Sequence, residues 1–165
     1  MDNSDSITVG YWSTKGLGSV CRQIVLYSGN KLKAKNYKLQ PVVKENLITY
    51  DASEWAENDK IDLKKRNSLI NLPYIELIDS SGNDLLISQS NACLSYLGRK
   101  FKMFGVNETE KIQCEQLLLE TSDLRNIITS FAYTHFKNKG LENEAANEVF
   151  TKTFQNTNAG KIQKF

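Results

Sequence analysis

Histidine is all but missing from this chain: His135 is the only one in 165 residues. A serine-type triad or a histidine-rich metal site therefore has nothing to build on. Cysteine is scarce too. Cys21, Cys93 and Cys114 are odd in number and far apart, with no C-x-x-C spacing. That argues against a disulfide framework or a zinc site and for a reducing compartment. Charge of one sign is not in excess, and a net charge of +2 supplies no general attraction to nucleic acid or an anionic membrane. Long apolar runs are absent. None reaches transmembrane length, and the polar opening Met1-Asp2-Asn3-Ser4-Asp5 does not read as a secretory signal. The expectation is a cytoplasmic protein with no metal, no nucleic-acid partner and no membrane span.

What is present is enough for a core: 40% apolar residues and 10% aromatics. Ile7 to Trp12 is β-branched and aromatic and reads as a strand. Lys15-Gly16-Leu17-Gly18-Ser19 is a glycine-rich turn. A helix follows, with Val20, Ile24 and Tyr27 on one face, stopped by Gly29. Lys35 to Leu39 alternates and reads as a second, parallel strand of a βαβ unit. Residues 40–70 read as a loose loop-and-helix segment over one edge of the sheet. Tyr74 to Asp79 and Leu85 to Ile87 flank the hairpin turn Ser80-Ser81-Gly82-Asn83, and a helix runs from Ser90 to about Lys100. The order predicts an α/β thioredoxin-like domain over residues 1–102, with two parallel and two antiparallel pairings among four strands. Residues 107–165 predict a shortened all-α domain. Asn107 and Glu110 have capping-box spacing, Ile112 to His135 is a long helical run, and 141–155 is a weaker amphipathic helix. Two helices are too few to bury both apolar faces unless a partner completes them.

Two stretches carry the chemistry. Ser88-Gln89-Ser90-Asn91 lies where strand gives way to helix, with Ser90 as a candidate N-cap. A helix opening there aims free N–H groups and partial positive charge at a small carboxylate. Asn71-Leu72-Pro73 leaves extended backbone at a strand entrance, an edge that a short peptide can pair with. Together they suit a small peptide bearing a carboxylate. Tyr11, ending the first strand, is either a half-buried strand aromatic or a phenol able to stabilise a thiolate. Trp55 with Lys60 is either a carboxylate clamp or a staple beside a solvated lysine. Asp123, near Arg125, reads on its own as an exposed helical charge. Cys21 is either an activated thiol at a helix start or an inert core residue.

The order of these elements resembles the glutathione transferases, most of all the mu class. The resemblance rests on Val9-Gly10-Tyr11-Trp12 with Gly16-Leu17, then Trp55, Asn71-Leu72-Pro73-Tyr74, Gln89-Ser90-Asn91-Ala92, Tyr96 with Arg99-Lys100, and Glu110-Lys111-Ile112. It covers roughly residues 7–135 and implies that Tyr11 stabilises the glutathione thiolate, with Trp12 and Leu17 lining the site. Trp55 and Lys60 would contact the glycyl carboxylate. Asn71 and Leu72 would precede a cis proline, with Leu72 pairing to the cysteinyl unit. Gln89 and Ser90 would hold the γ-glutamyl end. Asp123 would reach the site of a dimer partner, and Tyr133 would lie near the electrophile. The implied function is conjugation of glutathione, as co-substrate, to small electrophiles in detoxification, by a homodimer. Three departures stand out. Ala52 replaces an arginine, segment 40–70 is longer, and the chain stops before the family's later helices. They motivate two alternatives: a non-catalytic scaffold subunit of a larger assembly, or a fragment of a full-length enzyme.

Overall fold

A computed structural model of the chain describes residues 6–44, 47–78 and 81–137, with the side chains of 44, 47, 48 and 131–137 outside the description. The chain divides into two compact units, Met1–Lys111 and Ile112–Phe165. In the first, strand β1 (Ser6–Trp12) leads through the glycine turn into helix α1 (Gly16–Tyr27) and strand β2 (Lys31–Tyr37). A separate hairpin follows, β3 (Gln40–Lys44) with β4 (Leu47–Asp51). A wide π-type helical turn (Glu54–Asp59) and the short helix α2 (Lys60–Lys64) lead to β5 (Tyr74–Ile78), β6 (Asp84–Ser88) and α3 (Ser90–Lys100).

The main sheet has the order β2-β1-β5-β6. β1 and β2 pair in parallel, while β1–β5 and β5–β6 are antiparallel. Four strands make only three pairings, so the expected second parallel pair does not exist. β5 is also an inner strand, not a peptide-pairing edge. Only the residues before it leave the ladder. The reading of 40–70 is corrected as well. Its first third is a β-hairpin, built from Val42 and Val43 against Ile48 and Thr49 in register.

Side chains alternate across the strands, so each face of the sheet has its own core. Ile7, Val9, Ile75 and Leu77 meet Cys21 and Val25 of α1 and Cys93 and Leu97 of α3 in an aliphatic cluster. On the other face, Tyr74 joins Tyr37, Trp55 and Ile70 in an aromatic cluster. The buried face of α1 is Gly18, Cys21 and Val25. The expected face was wrong by a rotation: Val20 and Tyr27 are exposed. The bulk of Tyr11 against Gly18 turns the small-residue side of the helix toward the sheet.

Helix α4 (Glu108–Lys137) begins at the capping box read from sequence. The Glu110 N–H donates to Asn107 Oδ1 at 2.9 Å, and the Asn107 amide donates back to Glu110 Oε1 at 3.0 Å. The Val106 N–H donates to the other carboxylate oxygen at 2.6 Å. Within the second unit, Thr121, Ser122 and Thr129 each donate to the carbonyl four residues back. The expected helix over 141–155 lies outside the described residues, and so does part of the turn at 80–83.

Candidate functional site

The register brings the chemistry-bearing stretches together. Gly10 pairs with Tyr74, Tyr74 with Ser88, and Trp12 with Tyr37. Just beyond the Gly10–Tyr74 and Tyr74–Ser88 pairs are Tyr11 and Trp12, Leu72 and Pro73, and Gln89 and Ser90. All lie at one end of the sheet, the carboxyl end of the parallel pair, where α/β proteins place ligands.

Tyr11 is 9% exposed. Its ring rests on the opening turn of α1, and glycines make that possible. A Cβ on Gly16 would lie 2.6 Å from the Tyr11 hydroxyl oxygen, and one on Gly18 would overlap the ring. Gly16 also has φ +35°, a conformation suited to glycine. No side chain caps the start of α1, so the phenol stands beside a helix N-terminus with its positive potential uncompensated. The loop between is held from several sides. Both the N–H and the hydroxyl of Ser13 donate to the Tyr37 carbonyl, at 2.7 and 3.0 Å. Arg22 donates to Asn36 Oδ1 at 2.7 Å and, at 3.4 Å, to the carbonyls of Trp12 and Thr14. Leu17 is half-buried on the first turn of α1.

The Leu72–Pro73 peptide is cis. The loop before it is pinned by Ser88, whose buried hydroxyl accepts from the Asn71 N–H at 2.8 Å and donates to the Asn71 carbonyl at 2.9 Å. Asn71 Oδ1 in turn accepts from the Leu72 N–H at 3.0 Å. Ser90 is not the N-cap of α3. It is the first helical residue, and Gln89 holds the cap position at φ +73°, ψ 120°. The Gln89 carbonyl accepts the first helical hydrogen bond from Cys93, at 2.9 Å, while no side chain caps the helix. A non-glycine residue in this region is strained, by about 1–3 kcal/mol. The strain leaves Gln89 exposed and the helix end open, which suits a carboxylate more directly than a serine cap would.

Trp55 is 3% exposed, held at ring-centroid distances of 5.0 Å from Tyr37 and 5.8 Å from Tyr74. Lys60 opens α2, and its N–H donates to the Trp55 carbonyl five residues back, the spacing of a π turn. Trp12 meets Tyr37 edge to face at 6.5 Å. The Tyr37 hydroxyl donates to Asp59 at 2.6 Å and is 2.9 Å from the Tyr74 hydroxyl. Lys35 pairs with the same Asp59 carboxylate. Burial and these hydrogen bonds push the Tyr37 phenol far above its ordinary value, so it stays a donor. Burial also raises the Asp59 carboxyl, but bonds from Lys35 and Tyr37 outweigh it and hold Asp59 below the usual carboxylate range.

Asp123 is exposed on α4 in the second unit. Tyr133 is on the same helix, its side chain outside the described residues. Cys21 is fully buried. Its bond with Cys93 draws its thiol below the ordinary value and drives Cys93 well above, but without exposure it is a core residue, not a nucleophile. Sequence reasoning gave Ser88, Tyr37, Asp59 and Gly10 no individual role, although Ser88 and Gly10 stand inside stretches it singled out. A Cβ on Gly10 would overlap the Tyr74 ring. Only Gly10 left a trace, as a glycine inside a strand, the usual mark of a close approach.

No family model matches the chain. Curated proteins do. Glutathione S-transferase Mu 6 of Mus musculus is 37% identical over 119 residues, covering 72% of this chain and 49% of that protein. Glutathione S-transferase Mu 4 of Homo sapiens is 33% identical over 129 residues, covering 78% and 53%. The chain thus spans about half the length of the curated relatives it matches. Among solved structures, a nematode-specific GST of C. elegans superposes with a TM-score of 0.62 at 19% identity, covering 97% of this chain and 64% of that one. The glutathione S-transferase of Ascaris lumbricoides gives 0.60 at 21%, covering 97% and 67%. At that identity the structures speak for the fold alone, and they agree with a thioredoxin-like domain followed by helix.

Proposed function

From this chain's kinship with the mu-class glutathione transferases, at 33–37% identity over 72–78% of its residues, we propose that it binds glutathione and conjugates it to small electrophiles. The observation that carries the reading is the placement of Tyr11. Its hydroxyl is packed on Gly16 at an uncapped helix start, at the same sheet end as Leu72 and Gln89–Ser90. A phenol donating to a thiol there favours the thiolate, and lowering a thiol pKa by about two units needs only ~3 kcal/mol of differential stabilisation.

The tripeptide runs across the sheet end. Gln89 and Ser90 take the γ-glutamyl carboxylate at the open start of α3. Asn71 and Leu72 offer backbone to the cysteinyl unit, and Trp55 with Lys60 meets the glycyl carboxylate. Trp12 and Leu17 line the wall. The thiolate sulfur attacks an electrophilic carbon, a carbon–sulfur bond forms, and the leaving group departs with the electron pair of its own bond. The thiol proton goes to solvent. The finer parts of the reading are a dimer in which Asp123 serves the partner's site, Tyr133 beside the electrophile, a role in detoxification and a cytoplasmic location. Among the described residues no helix is long and apolar enough to cross a membrane. Nothing in the fold or in the relatives favours the scaffold alternative.

The test is conjugation of a chloronitrobenzene by the full chain and by Tyr11→Phe. The variant is expected to lose roughly 100-fold in rate, the scale of removing one donor to a developing anion, with glutathione affinity and melting little changed. Equal turnover by the two proteins would remove Tyr11 from its role.

A further inference from the structure

The aromatic face of the sheet is wired to a carboxylate. Asp59 is the last residue of the π turn that begins at Glu54, and Trp55 sits inside that turn. Asp59 accepts from the Tyr37 hydroxyl at 2.6 Å, and the Tyr37 hydroxyl meets that of Tyr74 at 2.9 Å. Trp55 packs against the rings of both Tyr37 and Tyr74. The loop is therefore closed: the turn carries Trp55, Trp55 packs on two phenols, and their hydroxyl chain returns to the turn through Asp59. Lys60 follows Asp59 directly, and its N–H is bonded to the Trp55 carbonyl.

We infer that Asp59, Tyr37 and Tyr74 form a positioning device that sets Trp55 and Lys60 for the carboxylate end of the peptide ligand. The inference rests on the reading of the site as a glutathione site and adds to it which residues determine affinity at that end without touching the ligand. A π turn holds one residue more per turn than an α turn, and such turns recur at functional sites. Here the extra width lets one turn present Trp55 inward and Asp59 back to the sheet. Without the Tyr37–Asp59 bond, the carboxyl end of the turn, where Lys60 begins, is tied to β2 through Asp59 only by the exposed Lys35 ion pair. The Tyr11 ring itself rests on Gly16 and Gly18, outside the hydroxyl network, and Ser13 beside it bonds the Tyr37 carbonyl, which Tyr37→Phe keeps.

Full-length Tyr37→Phe and Asp59→Ala are compared with the unaltered chain by calorimetry with glutathione, by conjugation kinetics, and by acrylamide quenching of Trp55 in a Trp12→Phe background. Each substitution is expected to weaken glutathione binding about fivefold, the scale of one hydrogen bond, and to raise KM for glutathione with kcat little changed. Trp55 quenching should rise in both. The double variant should bind much like Asp59→Ala alone, because that substitution already removes the acceptor of the Tyr37 bond together with the partner of Lys35. Losses that add, or a fall in kcat with KM unchanged, would overturn the device. Unchanged quenching with unchanged affinity would do so too. If the unaltered chain binds no glutathione, the ligand reading fails and this inference with it. If it binds and the variants bind equally, only the positioning role fails.

Discussion

The two faces of one sheet are built on different principles. The face under α1 and α3 is aliphatic: Ile7, Val9, Val25, Ile75, Leu77 and Leu97 with two buried thiols. Its fully buried residues carry no hydroxyl or carboxylate, so it contributes stability chiefly through area and close packing. The other face is aromatic and polar at its heart, with Tyr37 and Tyr74 hydroxyls joined to Asp59. Hydrogen bonds are directional and aliphatic contacts are not. The first face can therefore hold a fold with tolerance, while the second fixes where one ring sits. The candidate site draws its precision from the second face and its foundation from the first.

That contrast is broken most directly by truncation. Leu97→Ala, at a fully buried position, is expected to cost about 3 kcal/mol by lost burial plus a cavity, read by denaturant melting. Glutathione affinity per folded molecule should stay within twofold. If affinity drops as much as in Tyr37→Phe, the two faces are not separable and the comparison falls.

A smaller effect is expected where the aliphatic side touches the site. Gly18→Ala puts a methyl into the Tyr11 ring, an overpacking worth about 2 kcal/mol. Tyr11 must shift, so conjugation should fall out of proportion to the lost stability. Normal turnover in a destabilised Gly18→Ala would mean that the ring position is not what matters. Ser88→Ala comes next, at about 1–2 kcal/mol, since it strands the Asn71 N–H and carbonyl together. Its glutathione KM should rise while the Tyr11-dependent step is spared. A thermal scan and a KM series on the same preparation decide it.

How much of this was readable beforehand follows the same division. Strand and helix patterns located most of the main sheet and the helices α1, α3 and α4, because alternation and capping are local signals. The Asn107–Glu110 box was legible for that reason. The sheet-end stretches were legible because a proline and a strand-to-helix junction mark themselves. The hairpin at 40–51 was missed although Val42, Val43, Ile48 and Thr49 are strand-prone, because Pro41 within its first strand is a residue that ordinarily interrupts a ladder. The role of Ser90 was misplaced by one residue, since nothing local announces that Gln89 adopts positive φ. The network through Tyr37, Tyr74 and Asp59 spans separations of 22 and 37 residues, and no window along the chain contains it. Val20 and Tyr27 were assigned inward because the close fit of Tyr11 on Gly18 depends on tertiary approach.

The faintest expected difference between the faces is in their response to pH. Asp59 is held below the ordinary carboxylate pKa, with burial opposing and the bonds from Lys35 and Tyr37 prevailing. A depressed acid stabilises the fold fully above its unfolded value, near 3.9, and loses that contribution as pH falls through the lower folded value. Lys35 is raised, chiefly by its bond to Asp59, so its share is complete below about pH 10 and fades only at higher pH. Both charges reach solvent, with side-chain exposures of 51% for Lys35 and 30% for Asp59, and screening limits the pair to a few tenths of a kcal/mol. Among the described residues the aliphatic cluster holds no carboxylate to titrate, so this small acid limb belongs to the aromatic face. Denaturant melts from pH 6 to pH 3 should show Asp59→Asn with a shallower decline than the unaltered chain. Two parallel curves would place the acid sensitivity elsewhere and leave Asp59 a positioning group without an electrostatic one.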